Sequence, residues 1–259
     1  MERSKIKDIV IVLLLVLNLF FLFLNFGQES AAGSQKAIEE SVVQILQRQE
    51  ITLDPQLVPW KSSLKSFVQS RDRYDDHILA TGLVGEISRE QTGTSRSFYG
   101  ESGRVEVFQY GAFEASYDAP YAISMATSEE ARALLESLNM HALADLSRSK
   151  SGTYVLWQTQ DGLPVFTCEI TLVTEDGKLA KVSGRRLAGP LSPGGEVMHS
   201  AATLLTAFSQ AKAEGKISCT EILEIQEGYI NQGTVPVWRI LTDEGIIYLD
   251  CVTGEIRYV

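Results

Sequence analysis

Residues 165–173 read VFTCEITLV, a stretch in which apolar and polar side chains alternate. The alternating positions are Phe166, Cys168, Ile170 and Leu172 on the apolar side and Thr167, Glu169 and Thr171 on the polar side. Successive side chains of a β-strand point to opposite faces, so the pattern predicts a strand with one buried and one wet face. One-sided burial of this kind is typical of an antiparallel sheet.

Two more strands are predicted beside this one, at 153–158 and 179–187, because both stretches are rich in β-branched and apolar residues. The turns between the three strands fall at Asp161-Gly162 and Asp176-Gly177. An Asp-Gly pair favours the tight turn of a β-hairpin, so the three strands form an antiparallel meander.

A helix is predicted before the meander, because Thr127 and Glu130 are spaced as a capping box that satisfies free backbone N–H groups. The same order then recurs, with a helix over 196–214. Three strands follow it, at 220–229, 235–242 and 246–251, and the last continues through Thr253-Gly254 to Ile256. The sequence therefore predicts a duplicated helix-plus-three-strand unit, in which each helix covers the apolar face of its sheet.

Before these units, the chain is predicted to form an amphipathic helix over 36–50, followed by an antiparallel meander from Ile78 to Ser116. The fold class is α+β. The predicted segments are a cytoplasmic tail 1–8, a transmembrane helix 9–26, a linker 27–35, an N-terminal α+β subdomain 36–120, and the two helix-plus-strand units 121–190 and 191–259.

The transmembrane prediction depends on the run from Ile9 to Phe26, which is apolar except for two asparagines. A run of this length approaches what a helix needs to cross the ~30 Å hydrocarbon core. Arg3, Lys5 and Lys7 precede it, so the positive-inside rule places the N-terminus in the cytoplasm and the remainder outside. A cleaved signal peptide is the alternative, since 30–32 reads SAA, although a signal core is usually shorter.

The two asparagines of the run, Asn18 and Asn25, are one heptad apart and share a helical face. An amide in lipid gains from a hydrogen bond to another helix, so both are candidate partner-binding residues. Asn25 lies near the outer boundary, where interfacial water offers an alternative partner.

Composition limits the classes of partner. The 259 residues carry a formal net charge of −10, which argues against nucleic acid or an anionic membrane surface as a ligand. The three cysteines, Cys168, Cys219 and Cys251, form no CxxC pair. Buried free thiols are expected, while a Cys168–Cys251 or Cys219–Cys251 disulfide stays possible outside the cytoplasm.

The sequence shows no catalytic, cofactor or metal motif. His77, His141 and His199 are far apart and have no metal-ligand spacing. Asp75-Asp76-His77 is interpreted as a solvated loop. The adjacent pair Arg185-Arg186 is interpreted as a surface feature with weak potential for an anionic partner. The tryptophans of the predicted strands, Trp157 and Trp238, are assigned to the core.

Four short motifs resemble the YycI family of two-component-system regulatory proteins of low-GC Gram-positive bacteria. They are Ser4-Lys5-Ile6-Lys7, Leu17-Asn18-Leu19-Phe20, Pro236-Val237-Trp238-Arg239 and Thr253-Gly254-Glu255. Arg3 departs from that family, which commonly has Trp there. The tandem units also look like PepSY-like folds.

The resemblance implies a non-enzymatic accessory protein, without cofactor or metal, that is held in the cell membrane by a single helix. Its implied partners are a WalK-type sensor histidine kinase and a YycH-like protein, and its implied role is to regulate kinase control of cell-wall metabolism. The anchor residues that match the family pattern are Leu17, Asn18 and Phe20. The alternative function is a tethered extracytoplasmic ligand-binding or peptidase-inhibiting PepSY-like module.

Overall fold

The structure is a computed structural model that describes residues 36–257, with the backbone alone for 119–124. The predicted membrane helix 9–26, with Leu17, Asn18, Phe20 and Asn25, lies outside the described residues. Among the helices of 36–257, none has the length and apolar character that crossing a bilayer requires.

The described chain is mixed α+β. The helices are α1 (36–48), α2 (Asp76–Val84), α3 (Ser128–Ser137) and α4 (Ala201–Ala213), with 3-10 turns at Pro55–Leu57 and Gln109–Gly111. The strands are β1 (Thr52–Leu53), β2 (Phe67–Gln69), β3 (Arg89–Thr92), β4 (Arg96–Tyr99), β5 (Gly103–Val107), β6 (Ala112–Ser124), β7 (Ala142–Ala144), β8 (Thr153–Gln160), β9 (Leu163–Glu175), β10 (Lys178–Arg185), β11 (Leu191–Pro193), β12 (Glu221–Ile230), β13 (Val235–Thr242), β14 (Gly245–Asp250) and β15 (Ile256–Arg257).

Most strands join one twisted sheet in the order β15-β14-β13-β12-β9-β10-β6-β5-β4-β3, while β8 also pairs with β9. Neighbours along this path are antiparallel except at one place. There β12 and β9 run parallel, and a single residue pair, Tyr229 with Val165, joins them. The sheet is therefore two antiparallel halves that meet at β9. A separate two-stranded sheet pairs β2 with β11.

Each half of the sheet has its own hydrophobic core beneath a pair of helices. The first core combines α2 and α3 with the strands around β9 and β10, and contains Leu79, Leu135, Ile170 and Val182. The second core combines α1 and α4 with β12 to β14, and contains Leu46, Phe208, Trp238 and Ile240. The helix-then-antiparallel-strands order predicted for 121–259 is present in both halves.

A small third cluster connects the halves and contains Trp157, Phe166 and Val237. The Trp157 and Phe166 rings meet edge to face, with centroids 5.4 Å apart. The Arg239 guanidinium lies over both rings, at 5.6 Å and 5.8 Å from their centroids. Edge-to-face rings and a stacked cation are both favourable arrangements, so this cluster strengthens a junction that has only one backbone pair.

The structure confirms the predicted capping box, the two predicted Asp-Gly turns and the core position of Trp238. Thr127 Oγ1 accepts a hydrogen bond from the Glu130 amide, and Glu130 reaches back to the Thr127 amide, so the capping box forms. The two Asp-Gly turns adopt positive φ at both residues, 52° and 80° at Asp161-Gly162 and 50° and 74° at Asp176-Gly177. These are the angles that a tight hairpin turn needs. Trp238 is in the core as predicted.

The predicted meander is wrong in its first part, because residues 78–84 belong to helix α2. Asp75 caps this helix by accepting a hydrogen bond from the His77 amide at 2.8 Å, so Asp75-Asp76-His77 is a helix start and not a solvated loop. The β-branched composition suggested a strand. Burial of Leu79, Ala80, Leu83 and Val84 on one helical face decided the outcome.

The predicted start of the helix over 196–214 also needs correction. Helix α4 begins at Ala201, because Ser200 caps it, and Val197 is 83% exposed before it. The alternation predicted for β9 is confirmed, because Phe166, Cys168, Ile170 and Leu172 are buried while Thr167, Glu169 and Thr171 are partly exposed. The buried side chains are divided among the clusters, since Phe166 packs in the junction cluster and Ile170 packs in the first core.

All three cysteines are free and buried in the structure. Cys168 and Cys219 are fully inaccessible, and Cys251 is 1% exposed. Burial raises the pKa of the Cys168 thiol to about 12 and also raises the pKa of Cys219 and Cys251. The thiolate is the reactive form of cysteine. These thiols are therefore protected from reaction both because reagents cannot reach them and because their raised pKa keeps them protonated.

We therefore expect the folded protein to resist alkylation by iodoacetamide near pH 8, while the unreduced, urea-unfolded chain takes up three adducts in the same time. Intact-mass spectrometry would count the adducts. The Val197→Cys variant supplies an exposed reporter that should add one adduct in the folded state. A single adduct on the unfolded, unreduced wild-type chain would instead reveal a disulfide.

Candidate functional site

A cleft with a volume of about 480 Å³ lies where the two halves of the sheet meet. Its walls come from the segment between β2 and α2, the turn between β5 and β6, and the ends of β10 and β12. The lining side chains and backbone belong to Gln69, Ser70, Arg71, Arg73, Tyr74, Asp75, Asp76, Arg96, Val107, Phe108, Tyr110, Gly111, Arg186, Ala188 and Gln232.

The arginine-rich segment 70–74 is fixed against the chain that follows β10. The Ser70 amide donates to the Pro190 carbonyl and the Tyr74 amide donates to the Ala188 carbonyl, both at 3.0 Å. Between them, a Cβ at Gly189 would lie 2.1 Å from the Asp72 carbonyl oxygen. Only glycine permits this approach, so the wall of the cleft is built by close backbone packing.

The floor of the cleft is a carboxylate shared by two guanidinium groups. Asp76 Oδ1 accepts from Arg186 Nη2 at 2.7 Å, and Asp76 Oδ2 accepts from Arg96 Nη1 at 3.0 Å. The side chain of Arg186 is only 8% exposed, and that of Asp76 is 22% exposed. Arg96 also binds Glu90, and this hydrogen bond is the main reason that the pKa of Arg96 is raised.

Two further arginines, Arg71 and Arg73, are exposed at the cleft. Neither has a hydrogen bond or an ion pair to any residue of 36–257. The lining thus contains four arginines and two aspartates, an excess of two positive charges. Two acidic side chains just outside the lining, Asp72 and the Glu90 bound to Arg96, offset this excess, and the chain as a whole carries −10.

The rim of the cleft carries exposed aromatic rings. Tyr74 is 43% exposed, Phe108 is 42% exposed and Tyr110 is 72% exposed. Tyr110 has a φ of 59°, in the left-handed region that costs a non-glycine residue about 1 kcal/mol. Gln232 holds this loop, because its Nε2 donates to the Tyr110 carbonyl at 3.1 Å and its Oε1 accepts from the Ala188 amide at 2.8 Å.

A second cavity of about 490 Å³ adjoins the first and shares Tyr110 and Gln232 with it. Arg185 and Arg257 also line this cavity. Arg257 is already bound to the buried carboxylate of Asp250, at 2.8 Å. Arg185 extends the positive surface past Tyr110, and the two cavities form one continuous basic region.

The prediction that Arg185-Arg186 is a surface pair is half wrong. Arg185 ends β10 and is exposed, whereas the chain turns inward at Arg186, which is 7% exposed as a whole residue. Sequence reasoning missed the cleft because its arginines lie in three distant segments. The available signal was the stretch 71–76, RDRYDD, whose alternating charges precede a helix.

The histidines and acidic residues form no comparable site. His77, His141 and His199 are all exposed and lie on different elements. Across residues 36–257, no three His, Cys, Asp or Glu side chains gather in an arrangement that could hold a metal ion. The four predicted partner-binding residues of the membrane helix lie outside the described residues 36–257.

Comparisons with known protein families and with curated proteins identify no relative of this chain. No protein-family model matches the chain, and a search of the curated proteins likewise finds no match. The resemblance to the YycI family therefore depends on the four short motifs alone.

The carboxylate of Asp76, which two arginines share, should contribute more to stability than the exposed carboxylate of Glu90. Asp76→Ala leaves the buried Arg186 guanidinium without a counter-charge, a change that costs about 3 kcal/mol, or a drop of about 8 °C in melting temperature. Glu90→Ala removes the other acidic partner of Arg96 at the surface, where the expected cost is below about 1 kcal/mol.

Thermal unfolding of the full-length protein in detergent, followed by circular dichroism, would measure both variants. Equal melting temperatures for Asp76→Ala and Glu90→Ala would show that Asp76 is not the counter-charge that keeps Arg186 in the interior.

Proposed function

We propose that this chain is a membrane-anchored accessory protein that regulates a sensor histidine kinase of a two-component system controlling cell-wall metabolism. It acts through protein contacts, made by the membrane helix 9–26 and by the exported domain, and it catalyses no reaction. Its partners are a WalK-type kinase and a YycH-like protein. The protein is held in the cell membrane with its N-terminus in the cytoplasm and its larger C-terminal part outside.

The observation that carries this proposal is the apolar run with its two asparagines, within which Leu17, Asn18 and Phe20 match the YycI pattern. Asn18 lies near the middle of the run, at a depth where lipid offers no hydrogen-bond partner. A second transmembrane helix would supply one. Asn25 lies on the same face and extends this contact toward the outer boundary.

The described domain agrees with a role in protein contacts. It presents a helix followed by antiparallel strands twice, the arrangement for which we propose a PepSY-like likeness. Its cleft combines arginines with exposed Tyr74, Phe108 and Tyr110. Arginine and aromatic side chains are the residue types enriched in protein–protein interfaces.

A second candidate function is a tethered extracytoplasmic module that binds a ligand or inhibits a peptidase. The cleft favours this candidate by its volume of about 480 Å³ and by Arg71 and Arg73, which form no ion pair within residues 36–257. In this function the membrane helix serves only as an anchor, and its asparagines contribute nothing to binding.

The two functions differ over Asn18. We expect Asn18→Leu to weaken recovery of a sensor histidine kinase, because it removes an interhelical hydrogen bond worth about 0.6–2 kcal/mol, which corresponds to roughly 3- to 30-fold in association. The measurement is crosslinking and detergent co-purification of the full-length protein from its native membrane, with the kinase quantified by mass spectrometry.

Val16→Leu is the matched control, since residue 16 is turned about 200° from residue 18 on a helix and the change also leaves a leucine. Kinase recovery should be unchanged in this variant. Equal recovery with Asn18→Leu and wild type would exclude the membrane contact, and absence of a kinase from every preparation would favour the tethered module.

A further inference from the structure

We propose that the arginine-lined cleft binds an acidic segment of a partner polypeptide. The carboxylates of that segment lie against Arg71, Arg73 and Arg186, and a neighbouring apolar side chain packs on the exposed ring of Tyr110. This site belongs to the described domain and is separate from the membrane helix.

The first argument is the incomplete hydrogen bonding of Arg186. A guanidinium has five N–H donors, yet Arg186 makes one side-chain hydrogen bond within the described chain, to Asp76. Its side chain is 8% exposed, and what remains accessible lines the cleft. Donors in such a position favour a carboxylate, which can accept two of them side by side.

The second argument is charge. Asp76 has both oxygens engaged by Arg186 and Arg96, so one carboxylate serves two cations. Arg71 and Arg73 add two cations that form no ion pair within residues 36–257. Arginines concentrated in a cleft attract anions from solution and bind carboxylates in a defined geometry.

The third argument concerns the kind of anion. A free phosphate or a small carboxylic acid would need only the arginines, whereas this cleft also exposes three aromatic rings at its rim. The most exposed, Tyr110, has a left-handed backbone conformation, and its carbonyl accepts a hydrogen bond from Gln232 Nε2, whose side chain also accepts from the Ala188 amide. Strained positions of this kind persist at binding sites, and an exposed ring gains from contact with an apolar side chain. Charge beside an apolar group is what a polypeptide segment provides.

Close backbone contacts fix the walls of the cleft. Gly189 packs on the Asp72 carbonyl, and a Cβ at Gly111 would lie 2.2 Å from the Arg186 carbonyl oxygen. The Arg186 amide donates to the Gly111 carbonyl at 2.9 Å. These backbone contacts fix the segments that carry Arg71, Arg73 and Arg186, so little ordering entropy opposes binding.

This inference deepens the proposed function by giving the exported domain its own partner surface. It rests on that function only for the placement of the cleft on the outer side of the membrane. The test below contains no kinase and leaves the membrane helix unchanged. Failure of the cleft and failure of the kinase contact are therefore separate results.

The experiment selects a random-sequence peptide library on the immobilised full-length protein in detergent. We expect the enriched peptides to carry Asp or Glu next to an aromatic or aliphatic residue. Binding of the most enriched peptide, measured by fluorescence anisotropy, should weaken by about tenfold or more in Arg71→Gln/Arg73→Gln, which removes two charge-assisted contacts. Both residues are exposed and unpaired within the described chain, so the fold should survive the change.

The matched control is Arg48→Gln/Lys178→Gln, which removes two exposed positive charges that do not line the cleft. Its affinity for the peptide should stay within about twofold of wild type. Replacing the acidic residues of the peptide by their amides should abolish binding, and raising the salt concentration should weaken it.

Several results would overturn the proposal. Enrichment of peptides without acidic residues, equal affinity in Arg71→Gln/Arg73→Gln, or an equal loss in the control variant would each exclude the cleft as an acidic-peptide site. Inorganic phosphate that displaces the peptide at matched ionic strength, and by itself raises the melting temperature, would show that the site takes a free anion. Selection that enriches no peptide would also contradict the proposal.

Discussion

Strand β9 supplies side chains to both hydrophobic cores, and the rest of the structure depends on this sharing. Val165 and Cys168 enter the core beneath α1 and α4, whereas Ile170 and Leu172 enter the core beneath α2 and α3. Because β12 joins β9 through a single parallel pair, the ends of β10 and β12 are brought side by side. The chain after β10 carries Arg186, and the chain after β12 carries Gln232, so the position of the cleft follows from the junction.

The features that the sequence predicted well are those decided by neighbours along the chain. The Asp-Gly turns need only two residues that tolerate positive φ, and the capping box needs only Thr127 and Glu130 three positions apart. Strands β8, β9 and β10 follow once their turns are placed. Helix α1 was recognisable for the same reason, since its apolar residues recur at helical spacing and Val42 and Leu46 are indeed buried.

The features that the sequence did not predict depend on distant residues. Helix α2 has the composition of a strand, and its helical state is stabilised by an apolar face that packs in a core shared with α3 and β9. The cleft is a still clearer case, because Asp76 and Arg186 are 110 positions apart, and Tyr110 and Gln232 are 122 apart. No periodicity or spacing rule relates such pairs. Arg185-Arg186 was predicted to be a surface pair because the sequence does not show that Asp76 lies next to Arg186 in space.

The charge arrangement of the cleft is difficult to explain by stability alone. A buried ion pair gains little over apolar packing even when it is complete, and here the one carboxylate that binds Arg186 within residues 36–257 is shared with Arg96. Adding Arg71 and Arg73 nearby increases the repulsion among cations without adding a described contact. An acidic ligand would supply carboxylates to Arg71 and Arg73, which form no ion pair within residues 36–257, and this is the reason for placing a binding site here. If the membrane helix and the cleft both engage the same partner, the first contact raises the effective concentration of the second, so that even a weak acidic segment would be bound.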